Sequence, residues 1–320
     1  MKLGLLSTAR INELLVAGAR ATPDVQVVAI GSREPERAEA QAQALDIPRA
    51  HGSYEALLAD PEVEAVYIAL PNSLHAEWSV RALHAGRHVL CEKPFSRRPE
   101  EVVHAFDVAD GAGLVLAEAF MWRHHPQARR LVELLERVGD LRLIRASFSF
   151  LLERADDIRM QAALDGGALM DVGCYCVSAT RLLAGEPLEV SAQLVPGRDG
   201  VDVRLVAWLR FADGVLGTID CGLDVAARDE LEVAGTDGVL WLDDPWHARA
   251  PAIELRQDGT LERIAIEPLN PYACELEDFA AAVAGERAPR FGRGDALGQA
   301  RTIAALYKSA ETNAPTEVRQ

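Results

Sequence analysis

The chain has 320 residues, 49% apolar and 26% charged, an ordinary globular composition with length for one large or two ordinary domains. Its 49 acidic residues against 33 basic ones leave a formal charge of −16, so the surface repels phosphate backbones and anionic lipid heads. Nucleic acid and membrane surfaces are poor partners, and any anionic ligand has to be held by a local site.

The first 120 residues alternate between two patterns. Runs at 2–7, 25–31, 63–70, 87–91 and 114–119 are rich in Val, Ile and Leu with little alternation, as strands covered on both faces are. Helical stretches at 11–20, 35–45, 53–59, 73–85 and 99–110 lie between them, with Pro35 and Pro99 at first-turn positions. This rhythm predicts a doubly wound parallel sheet over 1–120, with ligands at the carboxyl ends of its strands. Beyond residue 120 the pattern changes. Helices are expected at 126–138 and 167–184, then strands at 188–195, 201–211, 215–223, 230–235, 238–242, 252–257 and 261–266, and closing helices at 272–284 and 294–311. The Asp-Gly pairs in 212–214, 236–238 and 257–259 are hairpin reversals. Residues 121–320 are therefore expected as an α+β domain, an open and mostly antiparallel sheet with helices on one face.

Cys91, Cys174, Cys176, Cys221 and Cys274 are odd in number and fit no disulfide framework, and the C-x-C of Cys174 and Cys176 lacks the paired spacing of a zinc site. They read as buried thiols in a reducing compartment. The opening MKLGLLSTAR has neither the apolar core nor the cleavage site of a secretory leader, and no apolar run is long enough to span a bilayer. A cytoplasmic location is expected.

The first strand runs into GLLSTARI, with Gly4, Ser7 and Ala9 among Thr8, Arg10 and Ile11. A dinucleotide turn needs small residues so that backbone N–H groups approach a pyrophosphate at a helix N-terminus. Only Gly4 is a glycine, and Ser7 and Ala9 do not take positive φ without cost. The second strand ends at Ser32 and Arg33, a hydroxyl and a guanidinium that suit a ribose 2′-phosphate. This favours NADP; in the competing reading Glu34 holds the free ribose of NAD.

The fifth run leaves its strand through Glu92, Lys93 and Pro94, at the sheet edge where a nicotinamide belongs. An ammonium there polarises a substrate hydroxyl, although the same residues also fit a surface ion pair at a strand end. Residues 165–176, DGGALMDVGCYC, place Asp171 and Tyr175 four apart on one helix face after a glycine pair. An acid and a phenol so placed look like a site, and they also fit a capped surface helix.

Taken together, CEKPF, GGALMDVGCYCVSATR, ALPNSLHAEW (69–78) and EAFMWRHHPQ (118–127) resemble the glucose-fructose oxidoreductase / inositol dehydrogenase (Gfo/Idh/MocA) family across essentially the whole chain. The tyrosine variant is closest to the branch of dimeric dihydrodiol dehydrogenase and NADP-linked xylose dehydrogenases. Ser7 departs from the family's second glycine. The resemblance implies an oxidoreductase acting on a sugar, polyol or cyclic diol. Lys93 contacts the reacting hydroxyl, Tyr175 is the general acid/base, and Asp171 orients it or shares its proton. The first turn with Leu70, Pro71, Asn72, His75, Glu92, Glu118, Trp122 and Arg123 holds the dinucleotide.

Hydride leaves a carbinol only as its proton leaves, so a base must stand within hydrogen-bond reach. Bringing a phenol from near 10 to about 7 takes roughly 4 kcal/mol, and an Asp171 carboxylate nearby works the other way. Arg159 is expected to reach substrate hydroxyls or to form an ion pair between domains. His124 and His125 are adjacent and lack a carboxylate at ligand spacing, so no metal is expected. A non-catalytic dinucleotide-sensing regulator on the same fold is the alternative, disfavoured because Lys93, Asp171 and Tyr175 are all present. Val206, Trp208 and Ile219 on the outer face of the second sheet are too apolar for water, which predicts a homodimer or higher even assembly, sheet on sheet.

Overall fold

Five of the apolar runs in the first 120 residues become strands, joined by a short sixth, in a computed structural model that describes residues 1–154 and 156–319. The strands are β1 (Lys2–Leu6), β2 (Gln26–Gly31), β3 (Arg49–His51), β4 (Ala65–Ile68), β5 (His88–Glu92) and β6 (Leu116–Ala119). All pair in parallel in the order β3-β2-β1-β4-β5-β6. The order reverses beside β1, the switch point where doubly wound sheets take their ligands. The edge strand β3 has no apolar run to betray it. Between the strands lie α1 (Asn12–Arg20), α2 (Pro35–Ala44), α3 (Tyr54–Leu58), α4 (His75–His84) and α5 (Pro99–Ala112). Pro35 and Pro99 open α2 and α5 as expected, and the Ser53 hydroxyl caps α3 by accepting from the Ala56 N–H.

The second half begins with α6 (Met121–His124) and α7 (Pro126–Glu133); the helix expected to 138 tightens into a 3₁₀ turn over Leu134–Val138. Then comes β7 (Leu141–Leu151), an eleven-residue strand that the sequence reading did not anticipate. Its Ile144, Ala146 and Phe148 point inward in strict alternation. The helix expected over 167–184 is a π-helical turn at Leu169–Gly173 followed by α8 (Cys174–Ala184). The sheet continues through β8 (Glu189–Pro196), β9 (Asp202–Arg210), β10 (Leu216–Gly222), β11 (Asp224–Gly235), β12 (Val239–Leu242), β13 (Ala252–Gln257) and β14 (Thr260–Ala265). The chain ends with α9 (Pro271–Val283), α10 (Arg293–Thr312) and β15 (Thr316–Glu317). Among the described residues the sheet has nine strands where seven were expected, in the order β14-β13-β12-β11-β7-β10-β9-β8-β15. Only β7 and β10 pair in parallel. The Asp-Gly reversals join β9 to β10, β11 to β12 and β13 to β14.

Strand register decides which residues face outward. Trp208 pairs with Thr218, Leu216 with Leu143 and Arg210, and Asp220 with Val206. Leu143, Val206, Trp208 and Leu216 therefore share one exposed face, and Val206 is 62% exposed. Ile219, expected on that face, pairs with Ala207 and is buried beneath α8. The single-residue offset between neighbours puts it on the other side of the pleat.

The described chain divides into two units, Met1–Met121 with Asn270–Leu297, and Trp122–Leu269 with Gly298–Gln320. The boundary falls near residue 120, but 121–320 does not stay together. The α9 helix packs on α1 of the first unit, where Gly18 gives the close approach: a Cβ there would stand 2.6 Å from that of Tyr272. Asn270 starts α9 by accepting from the Tyr272 and Ala273 N–H groups.

Glu275 sits on this helix among buried Tyr272, Leu276 and Phe279, 1% exposed, and its Oε1 has no hydrogen-bond partner among the described residues. Burial, then the charges of Glu92 and Asp278, push its pKa well above the usual carboxyl value. A raised folded pKa means that the folded chain holds this proton more tightly. The associated stability is complete below the unfolded value and is lost as pH rises. Glu275→Gln should therefore gain melting temperature relative to the native chain as pH rises above about 4.3, the usual value for an unfolded glutamate. A difference that does not change with pH would show that Glu275 has a donor in solution.

Candidate active site

The first turn is held open by a strained residue. Ser7 has φ 139°, a conformation that favours glycine, at the position where the resemblance expects one. Such a backbone costs on the order of 1–3 kcal/mol. Three hydrogen bonds, at roughly 1 kcal/mol net each, offset it. The Ser7 hydroxyl donates to the Ala69 carbonyl at 2.7 Å and accepts from the Ala9 N–H at 3.3 Å, while Asn12 Nδ2 donates to the Ser7 carbonyl at 2.9 Å. Asn12 also donates to Gln41 Oε1 at 2.9 Å, and Gln41 Nε2 donates to the Ala9 carbonyl at 3.2 Å. These two residues brace the turn and were not singled out from sequence, because amides on two separate helices leave no local signature. Gly4 is buried in β1, Thr8, Ala9 and Ile11 are half-buried, and Arg10 is exposed.

At the end of β2, Ser32 is buried and its hydroxyl accepts from the Glu34 N–H at 3.2 Å. Arg33 is exposed and makes no ion pair among the described residues. Glu34, the residue of the NAD alternative, pairs with Arg37 at 3.3 Å.

The ends of β4, β5 and β6 form a continuous rim in the first unit. His75, 1% exposed, faces the Leu70 carbonyl with Nε2 at 2.8 Å and the Pro94 carbonyl with Nδ1 at 2.9 Å. Burial lowers its pKa, so the neutral ring donates to one of these carbonyls at a time. His75 thus ties the loop of Leu70, Pro71 and Asn72 to the segment after β5. The Lys93–Pro94 bond is cis. Glu92 accepts from the Tyr67 hydroxyl and, at 3.3 Å, from the Lys93 N–H. Buried Glu118 accepts from the Phe95 N–H at 2.7 Å, fixing the chain two residues beyond Lys93.

The second unit holds the other group. Asp171 lies on the π-helical turn and Tyr175 in the first turn of α8. Arg159 Nε donates to Asp171 Oδ2 at 2.7 Å, and its Nη1 donates to Asp157 Oδ1 at 3.1 Å. Arg159 was expected to reach substrate hydroxyls or to pair between domains; the ion pairs it makes with Asp171 and Asp157 lie within one unit. Tyr175 is buried in an aromatic cluster, with its ring 5.3 Å from Phe148 and 5.8 Å from Trp246. Trp246 lies beyond β12 and donates from Nε1 to the Ser147 carbonyl at 3.1 Å. Its ring meets Trp122 edge-on at 5.4 Å. Trp122 and Arg123 are both buried in this unit.

Phe148 also meets the His247 ring edge-on at 5.6 Å. His247 Nδ1 stands 3.2 Å from Asp229 Oδ2 and 3.7 Å from Asp244 Oδ1. Burial lowers the pKa of His247, but the two carboxylates outweigh it and the net shift is upward. The donor atoms of Asp229, Asp244 and His247 lie within 4.8 Å of one another, close enough to hold a metal ion. Arg249 already stands 3.9 and 3.8 Å from the two carboxylates, so these anions face two cationic groups. Of the histidines first considered for metal, His125 has its ring nitrogens on the Gln127 N–H and the Leu269 carbonyl, both at 3.1 Å.

Residues 4–120 match the oxidoreductase family with an NAD-binding Rossmann fold, and residues 125–241 match the GFO/IDH/MocA C-terminal domain. The chain belongs to the Gfo/Idh/MocA family. It is 41% identical to D-xylose 1-dehydrogenase (NADP(+)) 2 of Haloferax volcanii, over 99% of this chain and 100% of that one. It is 36% identical to human trans-1,2-dihydrobenzene-1,2-diol dehydrogenase, over 88% and 84% of the two chains. The crystal structure of KijD10, a 3-ketoreductase from Actinomadura kijaniata in complex with NADP and TDP-benzene, superposes with a TM-score of 0.91 at 34% identity, covering 97% of each chain. That reductase has also been solved with a lysine replaced by alanine and with a tyrosine replaced by phenylalanine. Membership in this Gfo/Idh/MocA family accounts for the two-part fold and for the strand-end lysine and helix tyrosine on separate elements. Among the described residues, no helix is long and apolar enough to cross a membrane.

Proposed function

We propose that this chain is an NADP-linked oxidoreductase that transfers a hydride between nicotinamide and a carbinol or carbonyl carbon of a sugar, polyol or cyclic diol. The observation that carries the reading is the Arg159–Asp171 pair beside Tyr175. A bare carboxylate four residues from the phenol would oppose its ionisation; one held by a guanidinium opposes it far less. Tyr175 can then exchange a proton with the substrate oxygen. In oxidation the carbinol proton passes to the phenolate as hydride leaves the carbon; in reduction the phenol returns that proton to the alkoxide. Lys93 polarises the same oxygen with its ammonium. Asp171, oriented by Arg159, sets the field at the phenol and is available to share its proton. This complete set favours catalysis over dinucleotide sensing.

The first turn is fit for a pyrophosphate, because the φ of Ser7 turns the backbone toward the helix N-terminus as glycine would elsewhere in the family. Its partners there are Gly4, Thr8, Ala9, Arg10 and Ile11. Ser32 and the exposed Arg33 suit a 2′-phosphate, while Glu34 is engaged by Arg37. Bound NADP supplies the hydride acceptor, and its reduced form the donor. Leu70, Pro71, Asn72, Glu92 and Glu118 line or brace the nicotinamide end, and His75 acts there through the loops it ties. The enzymes named above as relatives, a xylose dehydrogenase, a dihydrodiol dehydrogenase and a 3-ketoreductase, support the substrate class and NADP. The five cysteines stand as thiols, which supports a cytoplasmic setting. The exposed Leu143, Val206, Trp208 and Leu216 support a homodimer through the outer face of the second sheet.

Lys93→Ala and Tyr175→Phe should each lower kcat on the order of a hundredfold, the size of an acid/base element, while leaving NADPH affinity nearly intact. Reduced-nicotinamide absorbance, followed with a panel of sugars and diols, measures this. Tyr175→Phe should also remove the alkaline limb of the pH–rate profile, and a surviving limb would move the proton relay to Asp171. Arg33→Ala should raise KM for NADP and spare that for NAD, because a charge-assisted contact to the 2′-phosphate contributes about 1.5–3 kcal/mol. Equal loss for both cofactors would return the ribose to Glu34. Sedimentation at micromolar concentration should show a dimer or higher even assembly, and Trp208→Glu should shift it toward monomer; a monomeric native chain would refute the sheet interface.

A further inference from the structure

We propose that Gln299, on α10, is a positioning residue for Tyr175, holding the peptide unit that joins Cys174 to Tyr175. This rests on the reading of Tyr175 as the proton carrier. Gln299 is 1% exposed, and its Nε2 donates to the Cys174 carbonyl at 2.8 Å. That carbonyl belongs to the peptide bond whose nitrogen is that of Tyr175. The peptide is planar, so fixing its oxygen fixes the tyrosine backbone. The orientation of the amide is not arbitrary. Arg181 Nη1 donates to Gln299 Oε1 at 3.1 Å, which can only be the oxygen, and the NH₂ is thereby turned toward Cys174. Arg181 is itself clamped by Glu186 through two bonds, Nε to Oε2 at 2.8 Å and Nη2 to Oε1 at 2.5 Å.

The other end of the same turn is held independently. The Asp202 carboxylate accepts from the Leu169 N–H at 2.6 Å and from the Tyr307 hydroxyl at 2.8 Å. Between these two anchors the helix makes its one π-helical turn, which carries Asp171. A wide turn of this kind changes the angle between the side chains before and after it, and occurs disproportionately at functional sites. A turn left unheld could relax to ordinary α-helix and rotate Tyr175 relative to Asp171. Gln299 therefore acts on catalysis without touching substrate, by fixing the exit of the turn.

The test uses Gln299→Met, which removes the donor at similar volume, and Gln299→Glu, which keeps an acceptor for Arg181 but offers Cys174 no donor. Each should lower kcat on the order of ten- to a hundredfold, the scale for a misplaced catalytic group, with NADPH affinity unchanged. The decisive measurement is a double-mutant cycle in the Tyr175→Phe background. There Gln299→Met should lower kcat little further, because the hydroxyl it positions is already gone. An undiminished effect in that background, or an unchanged kcat in both single variants, would overturn the proposal. If Tyr175→Phe alone retains native kcat, the proton-carrier reading fails first and the role of Gln299 falls with it. Should Gln299→Met fold poorly, Gln299→Glu carries the same cycle.

Discussion

Asp202 is 2% exposed and accepts on both oxygens, from the Leu169 amide and the Tyr307 hydroxyl, and the second half of the site is built outward from it. A carboxylate that far from water needs donors, and a helix start has N–H groups to spare. The match fixes where the helix begins. It also explains Gly167, whose φ of 122° and whose missing side chain are both required: a Cβ there would lie 2.2 Å from Asp202 Oδ1. The second glycine of the pair that precedes the acid and the phenol in the sequence makes room for this carboxylate. From that start the chain reaches Asp171 within one turn and Tyr175 within two, so a buried polar contact from β9 sets the place of both.

The electrostatics follow from the same arrangement. Asp171 is held by Arg159, and the Tyr175 ring packs against an apolar wall of Phe148 and Trp246. Such a wall strengthens the electrostatic interactions beside it. In the first unit the logic is mechanical. Ser7, Ala69, Leu70, His75 and Pro94 form a chain of hydrogen bonds along the sheet edge, and Glu118 extends it to Phe95. Lys93 therefore stands on a segment anchored on both sides, although its own strand ends one residue earlier.

The parallel sheet was legible because its strands are short apolar runs separated by proline-started helices, a pattern set locally. The lysine and tyrosine motifs were legible for the same reason: each is a contiguous string. What escaped was set by distant pairing. The β7 strand interrupts its apolar residues with Arg142, Arg145, Ser147 and Ser149, so it lacks the apolar density that marked its neighbours, yet it sits mid-sheet. Ile219 was assigned to the wrong face because alternation gives two faces but only register says which faces outward. The helix at 271–283 joins the first unit through Gly18, a contact between residues some 250 apart that no window on the sequence reveals. Asp202, Gln299, Asn12 and Gln41 were missed because a buried amide or carboxylate looks like any surface one until its partner is known.

Two buried acids of the first unit show how completely partners decide the outcome. Asp60 and Glu275 are both removed from water, and burial alone would raise both. Asp60 accepts from the Glu62 N–H at 2.9 Å and lies 2.8 Å from Arg49 Nε and 2.9 Å from His51 Nε2. These contacts outweigh burial, and its pKa is lowered. Glu275 has only acids for charged neighbours, Glu92 and Asp278, and its pKa rises. By linkage, the contribution of Asp60 is present above the unfolded carboxyl range and lost as pH falls through its lowered value, whereas that of Glu275 is complete at low pH and lost as pH rises. Acid therefore weakens the unit at the loop after α3, where Asp60 holds Arg49 and His51 of β3. Rising pH weakens it through α9, where the Glu275 carboxyl interacts unfavourably with Glu92, the residue beside Lys93.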